Sequence, residues 1–523
     1  MKTIKILGLL LLTVSLLLME SCSKKELDKI NSNLNNPLDV PAKFTLTDVM
    51  TSTAFNVVGS DLSLYASVYI EHEEGVWNQM YNAEKRTGEP VASTTYNNSW
   101  VTIYNNIKAL KIVIAKTSEG GEEAGNDVTC GIAKVLLAYN LGVLTDFFGD
   151  VPFAETGIMN EDGSLKYMQP QVDKQSDLYP QIQTLLDDAI TLLQGSDEAP
   201  AGGIGSQDLI YSGKKDNWAK AAYGLKARYL MHTLKLSADV EGDMMKVLDY
   251  VSKSFTGPAE EFKYTSYDGD IDNPVNINPL FGISYARDML GVSKSLAQKF
   301  KDLNDPRGDQ AFMSYDWEQI SLDDAIDQAG ENGDPIQKQY EYPISMAEYA
   351  PTAPTMLLSY HEIMFLKAEA LARLNEPGDA KDALEQAIIA AFANLEHTIT
   401  STINGSGVGG EVDLSEPVAT AYFTDEVSGR FDADPLQEIM LQKYLAFYGG
   451  SGESSEAYND YRRLKALGEE NFIPLANPLN SSRFPLRFTY GNSDVLANPN
   501  VSSIYGDGSY VYTENVWWAG GTR

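Results

Sequence analysis

The chain of 523 residues carries 40 Lys and Arg against 73 Asp and Glu, a formal net charge of −33. That balance excludes a general nucleic-acid binder, whose affinity rests on cations neutralising phosphates, and it opposes docking on an anionic bilayer surface. A 43% hydrophobic and 10% aromatic content excludes a disordered polyanion, and two cysteines with four histidines exclude a disulfide framework and a four-cysteine zinc site.

Residues 1–21 read as an export signal. Lys2 and Lys5 precede an apolar run from Ile6 to Leu18 that is too short to span a bilayer comfortably. Ser21 and Cys22 follow, a small residue and then a thiol, the order in which a bacterial lipoprotein is cleaved and acylated. Acyl chains on Cys22 would anchor the protein at about 0.8 kcal/mol per buried CH₂, without a spanning helix. An ordinary signal peptide followed by an incidental cysteine is the competing reading. Residues 22–43, with Asn31-Ser32-Asn33-Leu34-Asn35-Asn36-Pro37, have linker composition and predict a lipidated tether. Residues 44–523 then predict a single domain.

In that domain the apolar spacing is helical. It predicts helices near 45–73, 96–117, 127–147, 174–194, 215–237, 241–255, 289–303, 355–374, 377–393, 433–449 and 454–465. Cys130 lies beside Glu122, Glu123 and Asp127, which disfavour a thiolate, and it reads as a core residue. Three helices share the pattern Leu-x-Ala-x-x-Leu: Leu136/Ala138/Leu141, Leu225/Ala227/Leu230 and Leu366/Ala368/Leu371. Alanines at such places let a neighbouring helix approach closely, and paired helices of this kind predict tetratricopeptide-type repeats. The segments between them, 75–95, 148–172, 256–288, 304–354, 394–430 and 466–523, are rich in Tyr, Asn, Gly and Pro. They predict irregular insertions, the usual place for binding. The expected fold is mostly α, a helical-repeat scaffold whose insertions form the ligand face.

Motifs in order along nearly the whole chain carry a family resemblance. They include Leu144-Thr145-Asp146-Phe147-Phe148-Gly149-Asp150-Val151-Pro152-Phe153, Asp216-Asn217-Trp218, Leu303-Asn304-Asp305-Pro306-Arg307 and Glu362-Ile363-Met364-Phe365-Leu366-Lys367-Ala368-Glu369. Gln442-Lys443-Tyr444, Glu456-Ala457-Tyr458-Asn459-Asp460-Tyr461-Arg462-Arg463, Arg483-Phe484-Pro485-Leu486-Arg487 and Val516-Trp517-Trp518 follow. The chain resembles the SusD/RagB family of surface nutrient-binding lipoproteins of Bacteroidetes, in its SusD-like branch. The resemblance implies a lipid-anchored protein on the outer face of the outer membrane, with four tetratricopeptide-like helix pairs as scaffold. It implies capture of an oligosaccharide or a peptide, a SusC-like TonB-dependent barrel as partner, no cofactor and no catalysis. Arg462 and Arg463 beside Asp460, and Trp517-Trp518, read as groups that hold the C-terminal segment onto the scaffold.

Sugar capture needs exposed aromatic faces for C–H stacking and planar polar side chains for hydroxyls. Trp77-Asn78-Gln79-Met80-Tyr81-Asn82 supplies both, and Arg86 could add a bidentate donor. Tyr315-Asp316-Trp317-Glu318 is a second cluster, with Tyr264, Tyr267 and Tyr285 as further candidates. The competing reading makes Trp77 and Tyr81 a lid over the core. Asp268-Gly269-Asp270-Ile271-Asp272-Asn273 begins like a calcium loop, but Asn273 stands where Gly is required and Pro279 where a bidentate Glu should sit. It reads as a solvated acidic turn. His72, beside Glu71, Glu73 and Glu74, lacks the second His of a zinc helix and reads as a polar helix end. Gly405-Ser406-Gly407-Val408-Gly409-Gly410 matches G-x-G-x-x-G but leads into no helix, so it reads as a flexible loop. No metal ligand set is nominated. The alternative function is an anchored glycosidase or peptidase using carboxylates of the insertions, although nothing marks a particular pair.

Overall fold

Several helix starts in this chain follow local chemistry. Ser359 Oγ accepts the Glu362 N–H at 3.2 Å, the first half of a capping box, and Pro377 opens the longest helix at a position where its missing N–H costs nothing. The computed structural model describes residues 40–160, 162–269, 276–449 and 451–523. The predicted signal, Cys22 and nearly all of the tether lie outside them, as do residues 270–275, which include 270–273 of the predicted acidic turn.

Residues Ala42–Arg523 form one compact unit. Its main helices are α1 (Ala42–Ser52), α2 (Asp61–Tyr69), α3 (Asn78–Glu84), α4 (Asn97–Thr117), α5 (Asp127–Phe148), α6 (Gln175–Leu192), α7 (Lys215–His232), α8 (Val240–Ser252), α9 (Pro279–Arg287) and α10 (Lys294–Asp302). They continue as α11 (Leu322–Gln328), α12 (Tyr360–Arg373), α13 (Pro377–Ser406), α14 (Glu416–Tyr422), α15 (Ser428–Ala433), α16 (Pro435–Ala446) and α17 (Ser454–Leu467). α4 packs on α5, α5 on α6, α7 on α8 and α12 on α13, while α8 and α16 also lie on α12. This is the helical-repeat scaffold.

Ala138, Ala227 and Ala368 of the shared pattern are fully buried on α5, α7 and α12. At Gly142 of α5 the approach is close enough that an added methyl would overlap the Tyr229 hydroxyl of α7. Gly142→Ala is therefore expected to lower unfolding free energy by about 1–3 kcal/mol through overpacking, measured by urea unfolding. Gly378→Ala, with open space around it in the first turn of α13, is the control and should not destabilise. α5 is long and apolar enough to cross a membrane, yet its residues are buried in the domain, which marks it as a core helix.

The scaffold interior is also ionic. Arg228 of α7 binds Glu362 of α12 (Nε 2.7 Å, Nη2 2.5 Å). Arg463 of α17 binds Glu369 of α12 (2.6 and 2.8 Å) and Asp460 (2.8 Å), which also meets Lys443 of α16 (2.7 Å). His232 of α7 lies between Glu456 of α17 (2.5 Å) and Asp146 of α5 (3.3 Å). Apart from Arg463–Asp460 within α17, these pairs join different helices, so most of the buried charges are neutralised only when the helices pack. Arg462 and Trp518 hold the C-terminal segment as expected. Arg462 donates to Leu486 O (3.1 Å) and Asp146 O (2.9 Å), and Trp518 Nε1 donates to Asp146 Oδ1 (3.0 Å). Arg463 instead ties α17 to α12.

Several boundaries differ from expectation. The helix predicted over 45–73 breaks into α1, a π-helical turn at Thr53–Val58, and α2, because at Gly59 the backbone passes too close to Ala54 and Pro279 for any side chain. Residues Leu290–Val292 and Thr355–Leu358, expected as helix starts, are buried strands. α13 runs on to Ser406, so part of the insertion predicted at 394–430 is helical. Among the described residues eight short strands, β1 (Glu73–Gly75), β2 (Val151–Pro152), β3 (Val172–Asp173), β4 (Phe262–Tyr264), β5 (Leu290–Val292), β6 (Phe312–Met313), β7 (Ile344–Ser345) and β8 (Thr355–Leu358), pair antiparallel as β1–β5, β2–β3, β4–β8 and β6–β7.

Candidate functional site

Strand pairing draws the two predicted aromatic clusters toward common neighbours. β1 pairs with β5, Glu74 opposite Gly291, and just beyond β1 the N–H groups of Val76 and Trp77 both donate to Met289 O at 3.0 and 3.3 Å. The segment 336–342 links the two sides: Lys338 N–H donates to Val76 O (3.2 Å) and Tyr340 N–H to the Asp288 carboxylate (2.5 Å). Following β6, Ser314–Glu318 forms a tight turn in which Ser314 N–H donates to Glu318 O at 2.8 Å and Trp317 N–H to Ser314 O at 3.1 Å.

The rings on this face meet at angles that run from nearly parallel to edge-on. Trp317 stands edge-on to Tyr285 of α9 (5.9 Å, 83°) and to Tyr349 (5.6 Å, 89°). Tyr285 stacks on Phe281 (5.4 Å, 20°), and Tyr315 lies against Tyr340 (5.2 Å, 46°). Tyr285, Tyr340 and Tyr315 are 52%, 50% and 38% exposed, which leaves ring surface open to a ligand, and Trp317 is half-buried. Exposed Arg287, Asp316 and Glu318 lie within two residues of these rings along the chain. Burial raises the Asp288 carboxyl pKa, and the Tyr340 N–H opposes that rise.

Backbone strain gathers at the same place. Asp288 (φ 43°), Trp317 (φ 65°) and Tyr340 (φ 64°) all occupy the left-handed region, at a cost of order ~1–3 kcal/mol each that survives only where surroundings impose it. The glycine run supplies one such constraint. Gly407 caps α13 at φ 71°, Gly409 N–H donates to Trp317 O (3.1 Å), and Gln319 N–H donates to Gly409 O (2.9 Å). A methyl at Gly409 would overlap the Glu318 carboxylate. The run is thus an ordered brace behind Trp317, where a flexible loop was expected; its glycines serve close approach.

The first cluster is divided. Trp77 is half-buried at the start of α3, Asn78 is exposed at φ 50°, and Tyr81 is half-buried. Arg86, expected as a ligand donor, is fully buried. Its guanidinium donates to Ala83 O (2.6 Å) and Asn480 Oδ1 (2.9 Å) and covers the Tyr69 ring at 4.9 Å. It joins α3 to the C-terminal segment and presents nothing at the surface. Tyr264 and Tyr267 pack with Phe55 in a separate cluster. His72 is no polar helix end either. It is buried between Ser454 Oγ (Nδ1, 3.1 Å) and Tyr444 O (Nε2, 2.9 Å), and burial lowers its pKa to about 3. Cys130 is buried and free.

Tyr340, Tyr349 and Asp288 were not nominated from sequence. Gln337-Lys338-Gln339-Tyr340-Glu341-Tyr342 has the same mixture of aromatic and hydrogen-bonding residues as the two chosen clusters, and that signal could have found Tyr340. Among the described residues no group of three or more His, Cys, Asp and Glu side chains is placed to hold a metal ion.

Residues 35–491 match the SusD-like family described as starch-binding and associating with the outer membrane. The chain is similar to a SusD/RagB family protein of Bacteroides thetaiotaomicron VPI-5482, at 47% identity over 93% of this chain and 100% of that one, with a TM-score of 0.87. It shares its fold with a SusD homolog of Bacteroides fragilis NCTC 9343 (19% identity, 92% and 100% covered, TM-score 0.66). A chitin-binding SusD homolog from Flavobacterium johnsoniae has the fold as well (18% identity, 91% and 98% covered, TM-score 0.64). No curated protein matches the sequence.

Proposed function

Because the chain belongs to the SusD-like family of outer-membrane nutrient-binding proteins, we propose that it captures an oligosaccharide on the Tyr285–Trp317–Tyr315–Tyr340 face and passes it to a SusC-like TonB-dependent barrel. In this reading Cys22 carries the lipid anchor that holds the protein at the cell surface. Trp77, Asn78 and Tyr81 extend the face on the β1 side, and Arg86 takes no part. The observation that carries the proposal is the set of part-exposed rings, held in a strained and braced conformation beside Arg287, Asp316 and Glu318. Rigid rings stack on sugar C–H faces, and the polar neighbours satisfy hydroxyls. The protein then binds without turnover.

The test is tryptophan fluorescence during titration with panels of soluble glycans and peptides, with product analysis of the same mixtures. A saturable change with a glycan and no product is expected. Trp317→Ala should weaken that binding at least about tenfold, about 1.4 kcal/mol. Accumulating product, or a Trp317→Ala variant that binds as the parent does, would overturn the proposal.

A further inference from the structure

The six tryptophans fall into two sets. Trp100, Trp218 and Trp518 are fully buried, and each donates its indole N–H to an aspartate: Asp494 at 2.7 Å, Asp208 at 2.8 Å and Asp146 at 3.0 Å. Trp77, Trp317 and Trp517 are half-buried. The first two belong to the aromatic clusters described above. Trp517, next to the anchored Trp518, lines a cleft of about 460 Å³ formed by α6, α7, the segment after α7, and α8. That cleft shares no residue with the Tyr285–Trp317–Tyr315–Tyr340 face.

The walls of the cleft are held by packing and ion pairs. α7 tightens at its end into the 3₁₀ turn Thr233–Leu236, and the 3₁₀ turn Trp517–Ala519 packs on it. Trp517 lies against Tyr179 of α6 (5.9 Å, 58°), whose hydroxyl donates to Asp146 and is also bonded to His232 Nδ1 (3.1 Å). On α8, Tyr250 is half-buried, and the Lys226 ammonium of α7 lies over its ring at 4.8 Å. Leu230 and Leu236 add apolar wall. Lys226 pairs with Asp187 of α6. Lys246 pairs with Asp243 (3.0 Å), which also accepts from Ser237 Oγ at 2.7 Å.

We propose that this cleft is a second carbohydrate site, which takes one or two neutral sugar rings against Trp517 and Tyr250. Its volume lies within the range of about 300–1,000 Å³ usual for small-ligand sites, and its lining joins aromatic and aliphatic surface to a few polar groups. The charged groups of the lining, two lysines and two aspartates, cancel one another although the whole chain carries −33. The cleft therefore favours neither an anion nor a cation. Each ammonium keeps N–H donors and each carboxylate keeps lone pairs beyond its ion pair. A neutral ligand rich in hydroxyls uses both kinds, while its C–H faces meet the rings. Binding at Trp517 requires nothing of the aromatic face, so the inference stands apart from the function proposed for that face.

The experiment labels the protein with 5-fluorotryptophan and assigns the Trp517 and Trp317 ¹⁹F signals with Trp517→Phe and Trp317→Phe. Maltotriose, cellotriose and chitotriose are titrated separately to about 20 mM, with trialanine as the peptide control. With at least one sugar the Trp517 signal should shift and saturate, half-saturation falling below about 5 mM, and it should do so equally in Trp317→Phe. Tyr250→Ala should raise the half-saturation concentration at least about fivefold. Ala238→Phe, at an exposed position lining the cleft, should obstruct binding to a similar degree without touching the core. Circular dichroism melting checks that both variants are folded. A Trp517 signal that no sugar moves, that only trialanine moves, or that shifts in both variants as in the parent overturns the inference. A Trp317 shift beside an unmoved Trp517 signal also overturns it, and leaves the aromatic face as the ligand site. A Trp517 shift beside an unmoved Trp317 signal supports it and counts against the face.

Discussion

Glu369→Ala is expected to lower the unfolding free energy by about 3 kcal/mol, within the range of about 3–5 kcal/mol for breaking a buried ion pair by removing one partner. Glu369 has no exposed surface and accepts from both Nη atoms of Arg463 (2.6 and 2.8 Å) and from Nε of Arg373 (2.9 Å). Burial alone would raise its pKa, but the two guanidinium groups hold it well below the usual carboxylate range. Truncation removes the two-pronged partner of one buried guanidinium between α12 and α17 and weakens the hold on a second. Arg463 keeps Asp460 (2.8 Å) and Arg373 keeps Glu469 (2.7 Å), which places the expectation at the low end. Urea unfolding measures it. The exposed pair Lys253–Asp249 is the contrast: Lys253→Ala should leave the midpoint where it was. An equally small change for Glu369→Ala would mean that the ionic interior contributes nothing to stability.

The second large effect is a loss of stability in alkali centred on His232. Burial alone would lower the imidazole pKa, but the charges of Glu456 and Asp146 and their hydrogen bonds raise it to about 9, from about 6.5 in the unfolded chain. A folded-state pKa above the unfolded one means that the native state holds the proton more tightly. The contribution is therefore fully present below about pH 6.5, declines above it, and is gone once pH has risen through about 9. Its size is of order ~3 kcal/mol, from a difference of about two and a half pKa units at about 1.36 kcal/mol each. The unfolding free energy from urea titrations at about pH 6 and about pH 9.5 should fall by this order in the parent protein. His232→Gln, already without the charge, should start lower and decline less over the same interval. Equal declines in both proteins would place the alkaline sensitivity elsewhere.

How far the sequence foretold this structure depended on whether a residue's neighbours were near it in the chain. The repeat helices were legible because i, i+3, i+4 spacing and the buried alanines at 138, 227 and 368 are local signals. The strands Leu290–Val292 and Thr355–Leu358 were not, since each joins directly onto a helix and pairs with a partner remote in sequence. Of the site, Tyr315 and Trp317 were found because an aromatic cluster in an insertion is itself the signal. Arg86 was misread for the converse reason. An arginine in a polar loop looks like a surface donor until Asn480 and the Tyr69 ring, from opposite parts of the chain, close over it. Gly409 was misread because its motif is defined by the helix that should follow, whereas here it is defined by Trp317, which precedes it by some ninety residues.

The bonds from His72 to Ser454, from Arg86 to Asn480 and from Trp518 to Asp146 each close a loop of more than 370 residues. The consequence is one of timing. Contacts so remote form late, because the entropy of closing the loop is lost before any contact can compensate. A partly emerged chain would already hold α5, α6 and α7 while the segments that cover Asp146, Phe147 and the Tyr69 ring were still missing. For as long as that lasts the apolar faces are open to other chains, and the hazard during biogenesis is aggregation of the incomplete polypeptide.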